Sequence, residues 1–211
     1  MHFQLFFVLA LLNIQAVVLD DACSQKETTK ALDDCKKKIL SEVEKIEKLT
    51  IVSDSADKVA SKLNKLLEIL EEARMDAESE NVDINTCLNL DYIYNIPNIV
   101  QVELNACNVA FQDEIDMIYT SIDAAIEAIN KCGYDKEDSC KKIKDCCKDV
   151  VKDFKKNVID DDLKKAEDKY KKCVKTITQF IDKEIKLIKE AIDKCIKPET
   201  STEDGYSSTT G

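Results

Sequence analysis

Histidine is almost missing from this chain. The only one is His2, inside an apolar leader, so the commonest general base and the commonest neutral metal ligand are absent from everything that follows. Tryptophan is absent too, and glycine and proline number three and two, where ordinary domains carry about 7% and about 5%. So few breakers argue against a turn-rich β architecture and for long helices. No Asn-x-Ser/Thr sequon occurs, which excludes N-glycosylation. The motifs G-x-S-x-G, H-E-x-x-H, the P-loop, the EF-hand loop and the redox C-x-x-C are all lacking. Beyond the leader, no apolar run approaches the roughly 20 residues of a membrane span. The chain is poor in catalytic chemistry, and no enzyme is expected.

What is present is cysteine. Ten stand in 211 residues: Cys23, Cys35, Cys87, Cys107, Cys132, Cys140, Cys146, Cys147, Cys173 and Cys195. Residues 2–18 form an apolar run ended by Asp20 and Asp21, and Ile14 and Ala16 suit the positions before a signal cleavage site. Residues 1–16 therefore read as a signal peptide. An even number of cysteines behind such a leader implies an oxidising, extracellular location and five disulfides. About 195 residues remain, one domain by length. It is assigned to 17–197, with a polar, Ser/Thr-rich acidic tail at 198–211 that is expected to be disordered and open to O-glycosylation.

Apolar periodicity supplies the helices. Leu32, Cys35, Ile39, Val43 and Ile46 share one face over 24–49. Ala56, Val59, Leu63, Leu66, Leu70, Ala73 and Ala77 follow coiled-coil-like spacing over 54–80, with Ser53 or Asp54 as N-cap. Residues 81–96 read as a break, and Pro97 opens a third helix that runs to Lys131 and ends at Gly133 as a C′ glycine. A fourth helix starts near Asp135. A fifth carries Leu163 to Cys195 and stops at Pro198. Between these two, 157–162 holds neither Gly nor Pro. A turn is the first expectation there, because Asp160 to Asp162 can cap a helix start; the alternative, one continuous helix over 135–196, would be about 90 Å long, too long for a compact domain. The expected fold is all-α, a disulfide-stapled antiparallel bundle of about five helices.

Hairpin geometry suggests bridges. A turn near 159–160 sets Cys173 level with Cys146 or Cys147, a turn near 51–52 favours Cys23–Cys87, and Cys132 and Cys140 flank a turn that they can clamp. Adjacent positions on a helix point about 100° apart, so Cys146 and Cys147 should serve different neighbours. The spacing around them fits neither zinc nor redox sites, and no metal or cofactor is expected. Net charge is −11, which argues against nucleic acid as a partner. The lysines of the last two helices alternate with carboxylates as solvated faces do. A candidate ligand cavity is Phe111, Met117, Ile118, Tyr119 and Ile122, near Tyr92 and Tyr94, since small-molecule sites form between bundle helices.

The Cys87–Cys107 spacing, the INKC ending at Cys132, the DKYKKC segment at Cys173 and the final IDKC-IKPETST resemble secreted insect proteins of the TsetseEP type. The resemblance implies a secreted helical protein of gut, saliva or body fluid, with no established activity and no functional residues to carry over. The expected function is a secreted, non-enzymatic interaction protein acting on an unknown extracellular protein through its helical surface. The alternative is a carrier for a lipid or other small hydrophobic ligand.

Overall fold

The computed structural model describes residues 23–134 and 139–196. The leader, the cleavage site, Asp135, Pro198 and the tail lie outside them. Every regular element described is helical: α1 Gln25–Glu47, α2 Ile51–Ser79, a single 3-10 turn Ile84–Thr86, α3 Leu90–Lys131, α4 Cys140–Phe154, a π-helical stretch Lys155–Leu163, and α5 Lys164–Ile196. No helix among the described residues is long and apolar enough to cross a membrane.

The expectation of about five separate antiparallel helices needs correction. Three long helices, α2, α3 and α5, of 29, 42 and 33 residues, dominate. The turn expected at 157–162 does not form. Helix α4 passes into α5 through the π-helical stretch. The reason lies in the apolar spacing. Phe154, Val158, Leu163, Ala166 and Tyr170 are all buried, and the step from Val158 to Leu163 is one residue longer than an α-helix allows on one face. A π-turn, bonded i to i+5, absorbs that extra residue and leaves Asp160, Asp161 and Asp162 in solvent.

The described chain groups into two compact units. In the first, residues 23–49 are joined by the part of α3 from Phe111 onward and by the chain up to Asp168. Its core includes Ile39, Ile46, Ile129, Ile143 and Phe154. In the second, residues 50–110 are joined by 169–196, with Leu66, Ile96, Val100, Ile181 and Ile188 at the centre. The objection to a long helix assumed one compact body. With the residues of the long helical path shared between two units, it loses its force.

Helix ends show where local signals were obeyed. Ser24 and Glu27 form a capping box at the start of α1, closing two otherwise unpaired N–H groups. The Ser24 bonds hold the Glu27 carboxyl below its ordinary pKa. Helix α2 starts at Ile51, earlier than Ser53 or Asp54 would have it. The Thr50 hydroxyl donates to the Asp54 carboxylate at 2.7 Å, and the Ser53 hydroxyl donates to the Thr50 carbonyl at 2.8 Å. Past its end, Asn81 takes φ 56°, and Val82 N–H returns to the Ala77 carbonyl at 2.9 Å, a Schellman-type closure.

Helix α3 begins before Pro97. The Asn89 side chain accepts from Tyr92 N–H at 3.1 Å, and Ile93, Ile96 and Val100 are buried on both sides of the proline, so burial outweighs the lost hydrogen bond. Gly133 is not left-handed, as a C′ glycine would be. It serves close approach instead, since a Cβ there would stand 2.9 Å from Leu32 Cδ1 and 3.1 Å from Thr28 Cγ2.

The buried face of α2 gives a direct check. Leu66 is fully buried in the second unit, while its neighbour Leu67 is 42% exposed. Leu66→Ala is expected to cost about 2–5 kcal/mol, and Leu67→Ala to stay within about 0.5 kcal/mol. Urea unfolding of the two variants measures both, and equal losses would place this face wrongly.

Candidate functional site

Cysteines set the frame. In the first unit Cys23 is bonded to Cys140 and Cys132 to Cys146. In the second, Cys87 is bonded to Cys195 and Cys107 to Cys173. Cys35 and Cys147 are buried thiols. All three expected pairings are therefore corrected. Cys23 and Cys87 lie in different units, as do Cys173 and Cys146 or Cys147, and each of them except Cys147 is bonded within its own unit. Cys132 bonds Cys146, one full turn and more inside α4. Cys140, at the first residue of that helix behind the Ser139 N-cap, is left for Cys23. The expectation that Cys146 and Cys147 serve different neighbours holds: Cys146 bonds Cys132 on the segment ending α3, and the Cys147 thiol is buried near that of Cys35 on α1, which helps raise its pKa.

The bridges also give helix directions. In the second unit Cys87 and Cys107 ascend the chain while their partners Cys195 and Cys173 descend it, so α3 and α5 are antiparallel there. In the first unit, α1 and α4 run parallel, since Cys23 meets Cys140 at their starts and Gly133, next to the Cys132 that bonds Cys146, lies further along against Thr28 and Leu32.

Cys23, Glu27 and Cys140 bring three ligand-type atoms together, the one such cluster among the described residues. Both sulfurs are committed to the disulfide and supply no thiolate for a metal.

The residues of the candidate cavity do not converge. Phe111, Ile118 and Ile122 point into the core, while Met117 is 59% exposed and Tyr119 also faces solvent. Spacing had placed them on one helix without separating its two sides. A cleft does exist, elsewhere. In the second unit, the end of α2, the loop after it and the first turns of α3 enclose about 450 Å³, lined by Leu70, Arg74, Ala77, Asp83, Leu90 and Tyr94, among others. Arg74, the only arginine in the chain, donates from Nε to Glu78 Oε1 at 3.3 Å. Glu71 and Asp83 add negative charge to the lining. The Asn85 backbone and side-chain N–H groups hold the Asp83 carboxyl below its ordinary pKa.

A second surface was missed from sequence. Between Tyr92 and Gln112 the only charged side chain is Glu103, although 35% of the chain is charged. On the exposed side of α3 in the second unit, Val102 and Val109 are 67% and 62% exposed, and Tyr94 is exposed nearby. Asn98, Gln101, Asn105 and Ala106 fill the same side, with Gln101 Nε2 donating to Asn105 Oδ1 at 2.9 Å. The opposite side holds Ile93, Ile96, Val100, Leu104 and Cys107 in the core. The gap in charge was the signal available in the sequence.

Buried polar groups in this unit are partnered. The Tyr170 hydroxyl donates to Asn108 Oδ1 at 2.8 Å, and burial raises its pKa. At its partly exposed position, Tyr92 also has its pKa raised, by partial desolvation and then by the nearby Glu184 carboxylate. Neither geometry offers a nucleophile paired with a base. No family model matches this chain, and no curated protein or solved structure matches it either.

Loss of the Cys107–Cys173 bridge should be costly, because it closes a long loop between two core helices. The double variant Cys107→Ser/Cys173→Ser is expected to lose about 2–5 kcal/mol by chemical unfolding while keeping its helical circular dichroism. Unchanged stability would show that packing alone sets this register.

Proposed function

We propose that this chain is a secreted, non-enzymatic interaction protein that binds an extracellular protein partner through the surface of its helices. The observation that carries this reading is the uncharged exposed side of α3. A merely solvated helix in so charged a chain would carry Lys and Glu there, as the rest of the surface does. This side instead carries valines, alanine and neutral amides. Charge depletion at the centre of a contact patch marks protein interfaces. The partner is a protein presenting an uncharged, partly apolar face of its own. The four disulfides fit an extracellular setting. The TsetseEP-type resemblance belongs to the same proposal. Cys87, Cys107, Cys173 and Cys195, four of the five cysteines on which it rests, bond among themselves within one unit.

The test uses the full chain against proteins of its native extracellular fluid. Val102→Asp/Val109→Asp is expected to lower capture of a stoichiometric partner at least tenfold at unchanged melting temperature, since both side chains are exposed. Equal capture by the variant, or no stoichiometric partner for either form, overturns the reading.

A second reading, a carrier for a small ligand, is favoured by the cleft beside Tyr94. Its apolar wall includes Leu70, Ala77 and Leu90, but its rim holds three carboxylates and one guanidinium. An uncharged or cationic amphiphile suits it better than a fatty acid. Native mass spectrometry of protein purified from its own source is expected to show a stoichiometric adduct if this reading holds, and Tyr94→Ala should remove it. A bare polypeptide mass sinks the carrier and leaves the interaction reading standing.

A further inference from the structure

Eight of the ten cysteines are bonded, and the two that remain face each other. Cys35 lies on α1 and Cys147 on α4. Both are in the core of the first unit, Cys147 at 0% exposure and Cys35 at 8%, on two helices of that unit that pack against each other, and the Cys35 thiol is near enough to raise the pKa of Cys147. Their meeting follows from the neighbouring bridge. Cys23–Cys140 sets the starts of these two helices side by side; further along, Gly133 lies against Thr28 and Leu32 of α1, next to the Cys132 that bonds Cys146 of α4, so the following turn of each brings Cys35 to Cys147. Cys146 points elsewhere and is already held by Cys132. No other cysteine is left for either thiol.

We infer that Cys35 and Cys147 are joined as a fifth disulfide in the mature protein. The reaction forms the Cys35 Sγ–Cys147 Sγ bond and releases two protons and two electrons. The electrons reduce an incoming disulfide, such as oxidised glutathione or the active-site disulfide of a protein oxidoreductase, whose S–S bond breaks to give two thiols.

Three other roles for the pair fit less well. A metal site needs further ligands, and among the described residues no cluster of three or more potential ligands includes either cysteine. A reactive thiol needs exposure and a depressed pKa. Burial, aided by Cys35, pushes the Cys147 thiol up to about 12, so it stays protonated and inert in the folded unit. Simple packing suits one buried cysteine, but two neighbouring buried thiols in a chain with four bridges are positioned to oxidise. Since the thiolate is the attacking form, the bond closes before the core does. Once closed it is shielded from reductant. The consequence is structural: adjacent Cys146 and Cys147 tie α4 to the end of α3 on one side and to α1 on the other, at one level of the unit.

The experiment takes the full chain from secretory expression, quenches it in acid, denatures it, and treats it with a maleimide without reduction. The expected result is no adduct on the wild type and one adduct on Cys35→Ser, at Cys147. Trypsin should release one cluster of three linked peptides, 31–36, 132–136 and 145–148, and fragmentation between Cys146 and Cys147 should assign Cys147 to Cys35. Two adducts on the wild type at Cys35 and Cys147, or a bond from Cys35 to any other cysteine, overturns the inference. The wild-type measurement does not depend on any variant folding. Its failure would leave the reading of the α3 surface untouched, because that surface belongs to the other unit.

Discussion

Helix register is the constraint on which the rest of this structure depends. A disulfide brings two Cα atoms to within about 4.4–6.8 Å of each other, so two bridges between a pair of helices fix their direction, their height and which faces meet. In the second unit, Cys87–Cys195 and Cys107–Cys173 do this for α3 and α5. The buried Tyr170–Asn108 hydrogen bond and the Lys62–Asp182 ion pair then fall into place. In the first unit, Cys23–Cys140 and Cys132–Cys146 hold three helical segments together. Helices whose outer faces are mostly lysine and carboxylate gain little from those charges, so the narrow apolar stripes need correct alignment to bury anything.

That alignment frees one surface from structural duty. The inner side of α3 is committed to the core, and the cysteines hold it there. Its outer side can then carry valine and neutral amides without a folding role. Elsewhere the polar groups of the surface pair with their own neighbours, as Glu42 with Lys45 and Glu127 with Lys131 do. The chemistry concentrated in the sequence, its cysteines, is consumed by architecture. What remains for function is shape, low charge on one helix side, and a mixed-polarity cleft.

Much of the helical map was legible because helix formation is local. The face of Val59, Leu66, Leu70, Ala73 and Ala77 is buried as its spacing indicated. The two places where local reading failed are informative. At 157–162 the run of aspartates looked like a cap, while the five-residue step from Val158 to Leu163 recorded a π-turn. At Pro97 the proline looked like a start, while the apolar spacing of Ile93, Ile96 and Val100 ran straight through it. In both cases the buried spacing outweighed the residue type. The candidate cavity failed for a related reason. Phe111, Ile118 and Ile122 are inward and Met117 and Tyr119 outward, and hydrophobicity alone does not distinguish a core side from an exposed one.

By itself, the sequence determined an all-helical chain, the inward faces of most of its helices, an even set of ten cysteines, and the divergence of Cys146 from Cys147. All of these follow from spacing over a few residues. Only the tertiary structure decided which cysteines meet, that the chain gathers into two units, that α1 and α4 run parallel, and that one side of α3 is left uncharged and open. Those outcomes depend on which distant segments pack together, and that is set by the total burial available across the chain. No local spacing encodes it.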